Sequence, residues 1–145
     1  MKKTWIALII LGLFFSTINS IAQDYQKADK IEISKPGKAV TFNKTTHDFG
    51  VLEKGAPATA AFTIKNNKTE PLIIVHVGAS CGCTAPAYPK EPIAPGKTGV
   101  IKLTYDSKRL GPFKKSAQVK TKDGKFFKLF IEGTVEKSEG QESKK

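Results

Sequence analysis

Residues 58–65 read ATAAFTIK, a stretch in which small or apolar side chains alternate with polar ones. Ala60, Phe62 and Ile64 would lie on one face of a strand, because successive strand residues point to opposite sides. The threonines and the lysine that alternate with them would lie on the other face, in water. This pattern is typical of a strand with one buried and one exposed side. It therefore predicts a layer of β-structure packed against a core.

The same period of two recurs along the chain. The predicted strands are residues 40–43, 47–52, 58–65, 72–77, 100–105, 113–121 and 125–135. The predicted core side chains are Phe62, Ile64, Ile101, Leu103, Leu129 and Ile131. The run 72–77 is apolar almost throughout, which predicts a strand buried on both faces with an uncharged His76 packed inside it.

Turn residues separate these strands. Asp123-Gly124 is a strong hairpin signal, and the cysteine-containing stretch after residue 77, with Pro86, Pro89, Pro92 and Pro95, predicts a loop. No run is long enough for a convincing amphipathic helix. About seven short strands at this spacing predict a single all-β domain, an immunoglobulin-like sandwich.

The N-terminus has the pattern of a cleavable signal peptide. Lys2 and Lys3 precede the uncharged, mostly apolar run 5–18, and small residues at Ser20 and Ala22 fit a cleavage site. The apolar run is shorter than the roughly 20 residues that a membrane-spanning helix needs. Cleavage after Ala22 is predicted, which places the mature protein in the periplasm or outside the cell, without a membrane span.

Four regions follow from this pattern: a signal peptide (1–22), a flexible lead-in (23–39), the sandwich domain (40–135) and a disordered polar tail (136–145). Removing residues 1–22 takes away two lysines and no acid, so the net charge falls from +11 to +9. Arg109 is the only arginine. Base and phosphate recognition favours the guanidinium group, so nucleic acid is not an expected partner.

Several short motifs follow one another in a characteristic order: HDFG at 47–50, FTIKN at 62–66, ASCGCT at 79–84, PKEPIAPG at 89–96 and GPF at 111–113. Together they resemble the exported bacterial family known as domain of unknown function 1573. That family is similar to the immunoglobulin-like domains of hydin and major sperm protein. The resemblance covers residues 42–135 and implies a sandwich fold and an envelope location. It implies no catalytic residue.

Cys81 and Cys83 are the only cysteines of the chain and are separated by a single glycine. They could pack as small apolar residues, although an oxidising compartment disfavours two adjacent free thiols. A bend at Gly82 would bring their Cα atoms within disulfide range. Such a bridge closes a loop of three residues and stabilises by roughly 1.6 kcal/mol before strain. We predict this disulfide, and a redox pair is the functional alternative.

A metal site is the third possibility for the cysteines. Two thiolates suit Cu(I), and His76 or His47 would supply a third donor, with His47 expected to be half-exposed. Each histidine also has an ordinary structural explanation. No metal and no cofactor are predicted.

The last hairpin supplies a second candidate site. Lys120, Lys122 and Lys128 lie on it, and Phe126 and Phe130 share a face with Lys128 if Phe127 points inward. Lysines interleaved with aromatic rings could bind an anionic glycan or a partner protein. Alternatively, the lead-in segment covers the two rings.

These patterns predict a non-enzymatic binding module. The sequence contains no carboxylate pair, nucleophile elbow, phosphate-binding glycine loop or zinc-protease motif. The expected function is therefore adaptor binding of a protein or an anionic glycan at the cell envelope. The alternative, from a different functional class, is a thiol-redox or Cu(I)-handling protein that uses Cys81 and Cys83.

Overall fold

The computed structural model describes Lys35, Gly37 and residues 39–137. This part of the chain forms β1 (Val40–Phe42), β2 (Thr46–Glu53), β3 (Ala58–Asn66), β4 (Ile74–Ala79), β5 (Thr84–Ala87), β6 (Thr98–Tyr105), β7 (Gly111–Thr121) and β8 (Phe126–Glu136). It contains no helix long and apolar enough to cross a membrane. The predicted signal peptide, nearly all of the lead-in and the tail beyond Lys137 lie outside the described residues.

The strands form two four-stranded sheets in the orders β1-β3-β6-β5 and β2-β8-β7-β4. All neighbours are antiparallel except β2 and β8, which are parallel. The six predicted core side chains are all fully buried between the sheets: Phe62, Ile64, Ile101, Leu103, Leu129 and Ile131. The predicted all-β sandwich is therefore confirmed, with eight strands rather than about seven.

The additional strand is β5, in a segment predicted as a loop. It pairs only with β6, so it forms the edge of its sheet. Pro86 lies within it, opposite Leu103. An edge strand accepts proline because one side of its backbone has no hydrogen-bonding neighbour. Proline thus made the segment look irregular, although it is a short edge strand.

The prediction of a strand buried on both faces at 72–77 is wrong. β4 begins at Ile74 and is an edge strand, and Val75 and His76 are exposed. Leu72 is buried, but it forms an isolated bridge with Ile93 outside the strand. In a two-layer sandwich each sheet has one face toward water, so a continuous apolar run cannot be buried throughout.

The hairpin between β7 and β8 has the turn that Asp123-Gly124 predicts. Gly124 has a φ of 77°, which favours glycine. Thr121 donates its backbone N–H to the Lys125 carbonyl at 3.0 Å and its hydroxyl to the Asp123 carboxylate at 2.6 Å. This turn sets the register that places Lys120 opposite Phe126.

Candidate functional site

Cys81-Gly82-Cys83 forms the corner at which the chain passes from β4, at the edge of one sheet, to β5, at the edge of the other. Backbone hydrogen bonds hold this corner to both sheets. The Ser80 N–H donates to the Ser116 carbonyl at 2.8 Å, and the Asp106 N–H donates to the Cys83 carbonyl at 2.9 Å. The corner therefore connects β7 with the end of β6.

The sulfur atoms of Cys81 and Cys83 are adjacent, and the Cα atoms are separated by 5.3 Å. Both residues are half-buried, and Cys83 packs against the core. The Thr84 hydroxyl lies 3.8 Å from the Cys81 sulfur. Lys90, the first basic residue after the motif, has its ammonium 3.6 Å from the centroid of the Tyr88 ring. The geometry suits a short disulfide loop at the surface.

His76 lies on the outer face of β4, exposed to solvent. Its Nε2 is 2.9 Å from the position that a Cβ on Gly78 would occupy, so the imidazole extends across this glycine. The prediction of a packed histidine is wrong, because His76 lies on the face of β4 that is turned toward water, whereas Ile74 and Val77 of the same strand are buried. Within residues 39–137, no three His, Cys, Asp or Glu side chains lie close enough to hold a metal ion together. The structure does not bring either histidine to the two sulfurs.

His47 is half-buried near the start of β2, as predicted. The Lys44 ammonium donates a hydrogen bond to its Nδ1 at 2.6 Å, and the Phe49 ring packs edge-on at 4.4 Å between centroids. Burial lowers the pKa of His47 from its usual 6.5, and the Lys44 charge lowers it further, whereas the Asp48 charge raises it. The surroundings therefore favour the neutral imidazole.

The outer surface of β7 and β8 carries the second candidate site. Phe127 is buried, so Phe126, Lys128 and Phe130 face outward, as the hairpin pattern predicts. The Lys120 ammonium lies 5.5 Å from the Phe126 ring centroid, and the Lys128 ammonium lies 5.4 Å from that of Phe130. We call these four residues, with Lys114, the lysine–phenylalanine face. Both rings are half-buried.

Lys114 was not predicted as a member of this face. Its ammonium lies 5.9 Å from the Phe130 ring centroid and 2.6 Å from a carboxylate oxygen of Glu132, to which it donates a hydrogen bond. Lys114 is six residues before Lys120 on the same strand, so period-two alternation puts both on one face. That signal was available in the sequence. The partnership with Glu132 depends on the β7–β8 register.

Lys122 does not belong to the lysine–phenylalanine face. Its N–H donates to the Ile73 carbonyl at 2.9 Å, and it lines a separate cleft near Lys68 and Pro71.

In the turn between β7 and β8, burial favours the neutral form of Asp123. Hydrogen bonds from Lys68 and Thr121 outweigh that effect and hold the pKa of Asp123 below its usual 3.8.

An open groove of about 320 Å³ connects the lysine–phenylalanine face with the cysteine corner. Its lining includes His76, Gly78, Ser80, Ser116, Gln118 and Lys128. Gly78, which has no side chain, lies opposite Gln118 in this groove, and the Ser116 N–H donates to the Ser80 hydroxyl at 3.1 Å beside it. Sequence reasoning missed Ser80, Ser116 and Gln118, because only the strand register brings them together.

A family model described as "Protein of unknown function (DUF1573)" matches residues 40–135. Among solved structures, the fold is similar to the ASH / PapD-like domain 7 of human CEP192, with a TM-score of 0.61 and 10% identity over 76% of this chain and 94% of that chain. It is also similar to a protein of unknown function from Porphyromonas gingivalis W83, with a TM-score of 0.58 and 16% identity over 74% of this chain and 50% of that one.

A third similar structure is the VesB protease of Vibrio cholerae, with a TM-score of 0.57 and 13% identity over 66% of this chain and 32% of the protease. The chain thus spans about half of the Porphyromonas protein and about a third of the protease. Identities this low show a common fold alone. No curated protein sequence matches the chain significantly.

Proposed function

We propose that this chain, which belongs to the DUF1573 family of proteins of unknown function, is an exported binding module. It acts without catalysis at the cell envelope. Its ligand is an extended chain bearing carboxylates, either an acidic protein segment or a uronate-type glycan. The observation that carries this proposal is the lysine–phenylalanine face, where three ammonium groups lie 5.4–5.9 Å from the centroids of two outward-facing rings.

The geometry of this face suits an extended ligand. Phe126 and Phe130 are four residues apart on one strand, which at about 3.3 Å per residue separates them by about 13 Å. A polymer lying along β8 would therefore contact both rings. Half-buried aromatic rings provide apolar contact area, and lysines provide mobile point charges that attract anions without demanding one fixed geometry.

The charge balance of the face also favours an anion. Lys114 is paired with Glu132. Lys120 and Lys128 take part in none of the ion pairs among the described residues. Their charges are therefore available to a ligand, while the neighbouring rings hold the ammonium groups close to the strand.

Binding of two polymeric anions to the mature protein tests the proposal. Poly-L-glutamate represents an acidic protein segment and polygalacturonate represents a uronate glycan. Lys128→Gln and Phe130→Thr are each expected to weaken binding of the preferred polymer by about 2- to 5-fold, the effect of about 0.5–1 kcal/mol for one exposed charge or ring contact. Binding should also weaken as salt is added.

Lys102→Gln is the matched control, because Lys102 is an exposed strand lysine on the other sheet. It removes one charge and should leave the affinity unchanged. Equal weakening by Lys102→Gln and Lys128→Gln would mean that only the overall charge matters. That result, or an absence of binding to both polymers, would contradict the proposal.

Export is part of the proposed function, and it has its own test. Protein recovered from the envelope fraction of the producing cells should have the intact mass of residues 23–145. Full-length protein found only in the cytoplasm would contradict the proposed location.

Thiol–disulfide exchange at Cys81 and Cys83 is a second candidate function, favoured by the placement of the two sulfurs at a half-exposed corner. It requires a bridge that is reduced and re-formed reversibly. Thiol titration and equilibration with glutathione buffers test it. If the cysteines stay oxidised in glutathione buffers set to the redox potential of the cell, exchange is excluded. Reversible reduction and oxidation of the pair near the potential of known exchange proteins would support it.

A further inference from the structure

Lys115 interrupts the core-facing row of β7. Phe113 and Ala117, two residues on either side of it, are buried and point between the sheets. Lys115 lies in the same row and is half-buried, whereas Lys114 and Ser116 belong to the outer side. A charged group in a core-facing row has a desolvation cost unless it finds water or a partner. The fold alone gives no reason for a lysine at this position.

Lys115 lines a pocket of about 350 Å³ at one end of the sandwich. Tyr105, Arg109 and Phe113 line the same pocket, together with residues 110–112. The pocket thus combines the only arginine of the chain with the inward-facing lysine. It contains no acidic lining residue among those that the structure describes.

The loop that carries Arg109 is held in place by the rest of this end of the molecule. Ser107 is 2% exposed, and its hydroxyl donates to the Ala56 carbonyl at 2.7 Å. The Gly55 N–H donates to the Ser107 carbonyl at 3.1 Å. These contacts anchor the loop between β6 and β7 to the turn after β2, so the pocket is largely preformed.

The carboxylate nearest in sequence to Arg109 is engaged elsewhere. Asp106 pairs with the Lys108 ammonium at 3.2 Å. Within the described part of the chain, neither Arg109 nor Lys115 forms a salt bridge. Two positively charged side chains therefore line one pocket, and neither is paired with an acidic side chain of the described residues.

An apolar surface adjoins the two cations. The rings of Tyr105 and Phe113 are stacked, with centroids 3.9 Å apart and planes inclined by 14°. Leu110, at the pocket, is 42% exposed although it is a large hydrophobic residue. Because the Tyr105 and Phe113 rings are themselves buried, Leu110 is the main apolar side chain that a ligand of this cationic pocket could contact.

We propose that this pocket binds a small amphiphilic anion, a carboxylate or phosphate group attached to a single apolar ring. The Arg109 guanidinium matches the paired oxygens of such a group, Lys115 adds a second positive charge, and the ring lies against Leu110, beside the small accessible part of the Tyr105 and Phe113 rings. The volume is at the lower end of the range for small-molecule sites. This site goes beyond the proposed function and shares no residue with the lysine–phenylalanine face.

NMR titration of the mature protein with benzoate, phenyl phosphate and inorganic phosphate tests the site. Benzoate or phenyl phosphate should cause saturable shifts of the Leu110 methyl signals and of the Tyr105 and Phe113 ring signals. The preferred probe identifies the anion as a carboxylate or a phosphate. Inorganic phosphate, which has no ring, should bind at least about 5-fold more weakly than phenyl phosphate, because it gains nothing from apolar burial.

Variants separate this site from general electrostatic attraction. Arg109→Gln and Lys115→Met should each weaken binding of the better probe by about 10-fold, as loss of one charge-assisted contact predicts. Lys115→Met retains the aliphatic stem, and thermal unfolding of both variants checks that the fold is intact. Lys102→Gln removes an exposed charge outside the pocket lining and breaks none of the salt bridges among the described residues, so it should leave the affinity unchanged.

Three results would overturn the proposal. One is that neither ring-bearing probe perturbs Leu110, Tyr105 or Phe113. Another is that Lys102→Gln weakens binding as much as Arg109→Gln does. The third is that inorganic phosphate binds as tightly as phenyl phosphate, which would indicate an adventitious ion only. None of these results depends on polymer binding at Lys128, so failure here and failure of the proposed function are distinguishable.

Discussion

Gly133 and Gly82 differ in the space around the position that a Cβ atom would occupy. At Gly133 this atom would lie 2.8 Å from the Gly50 carbonyl oxygen and 3.2 Å from the Phe113 ring. At Gly82 nothing lies within 4 Å. The contact at Gly133 is made with backbone, which cannot rotate away, where β2 has an irregularity between Asp48 and Val51 that lies against β8.

Gly133→Ala is therefore expected to lower the free energy of unfolding by about 1–3 kcal/mol, the usual cost of overpacking. Gly82→Ala, the matched control, should change it by less than about 1 kcal/mol, because alanine restricts the unfolded chain without a clash. Urea unfolding of the three proteins measures both effects. Equal midpoints for Gly133→Ala and the wild type would show that β2 moves aside without cost.

His47 should make stability depend on pH. Burial and the Lys44 charge lower the pKa of its imidazole below 6.5 in the folded protein, against the opposing effect of Asp48. Between the folded pKa and 6.5 the unfolded chain binds more protons, so the free energy of unfolding falls as the pH drops through this window. The loss stops once the folded imidazole is protonated too.

NMR titration of the His47 ring signals measures this pKa directly. Lys44→Gln should raise the pKa, because it removes a nearby like charge. His47→Gln should remove the corresponding part of the pH dependence of urea unfolding. A pKa at or above 6.5 in the wild type would contradict the expected neutral state.

At the level of the element, the cysteine corner is expected to contribute little to stability. A bridge between Cys81 and Cys83 closes only three residues, and hydrogen bonds from Ser80 and Asp106 already hold the corner. Replacing both cysteines with serine should lower the free energy of unfolding by no more than about 2 kcal/mol. Thermal unfolding of this variant and of the wild type, with and without reductant, measures the difference. A loss of folding would show that the bridge is essential.

At the level of the element, strands could be predicted from the sequence where the side chains on one face of the strand are apolar and those on the opposite face are polar. β3 alternates between buried and exposed along most of its length, and Phe62 and Ile64 are completely buried, as the period of two predicts. β4 and β5 were misjudged for a common reason. Both are edge strands, where a proline costs little and apolar residues such as Val75 remain exposed, so composition is a poor guide to their position.

For the whole molecule, the sequence was sufficient to predict a sandwich and the outward direction of Lys128 and Phe130, because both follow from local alternation. It was not sufficient to predict the groove at Ser80 and Ser116 or the pocket at Lys115. The groove combines residues from strands that are distant in the chain, so it depends on register. The pocket is lined by residues 105–115 alone, but its shape depends on the path of the loop between β6 and β7, which period-two alternation does not predict.

The same two-sheet arrangement predicts that residues 39–137 fold without the remainder of the chain. The buried core draws on both sheets and lies entirely between Val40 and Val135. The two termini of this segment are also fixed by pairing, since β1 binds β3 and β8 lies between β2 and β7. No core residue among those described lies outside these limits.

A chain of residues 39–137 should therefore unfold in one cooperative transition, with a midpoint within a few degrees of that of residues 23–145. Far-UV circular dichroism and Tyr105 ring signals, which report secondary structure and core packing separately, should give coincident curves if unfolding is two-state. A midpoint lower by 10 °C or more, equivalent to about 2 kcal/mol for a domain of this size, would mean that one of the flanking segments packs on the sandwich. The half-buried rings of Phe126 and Phe130 would be its expected contact, and the same segment would then compete with any ligand of the lysine–phenylalanine face.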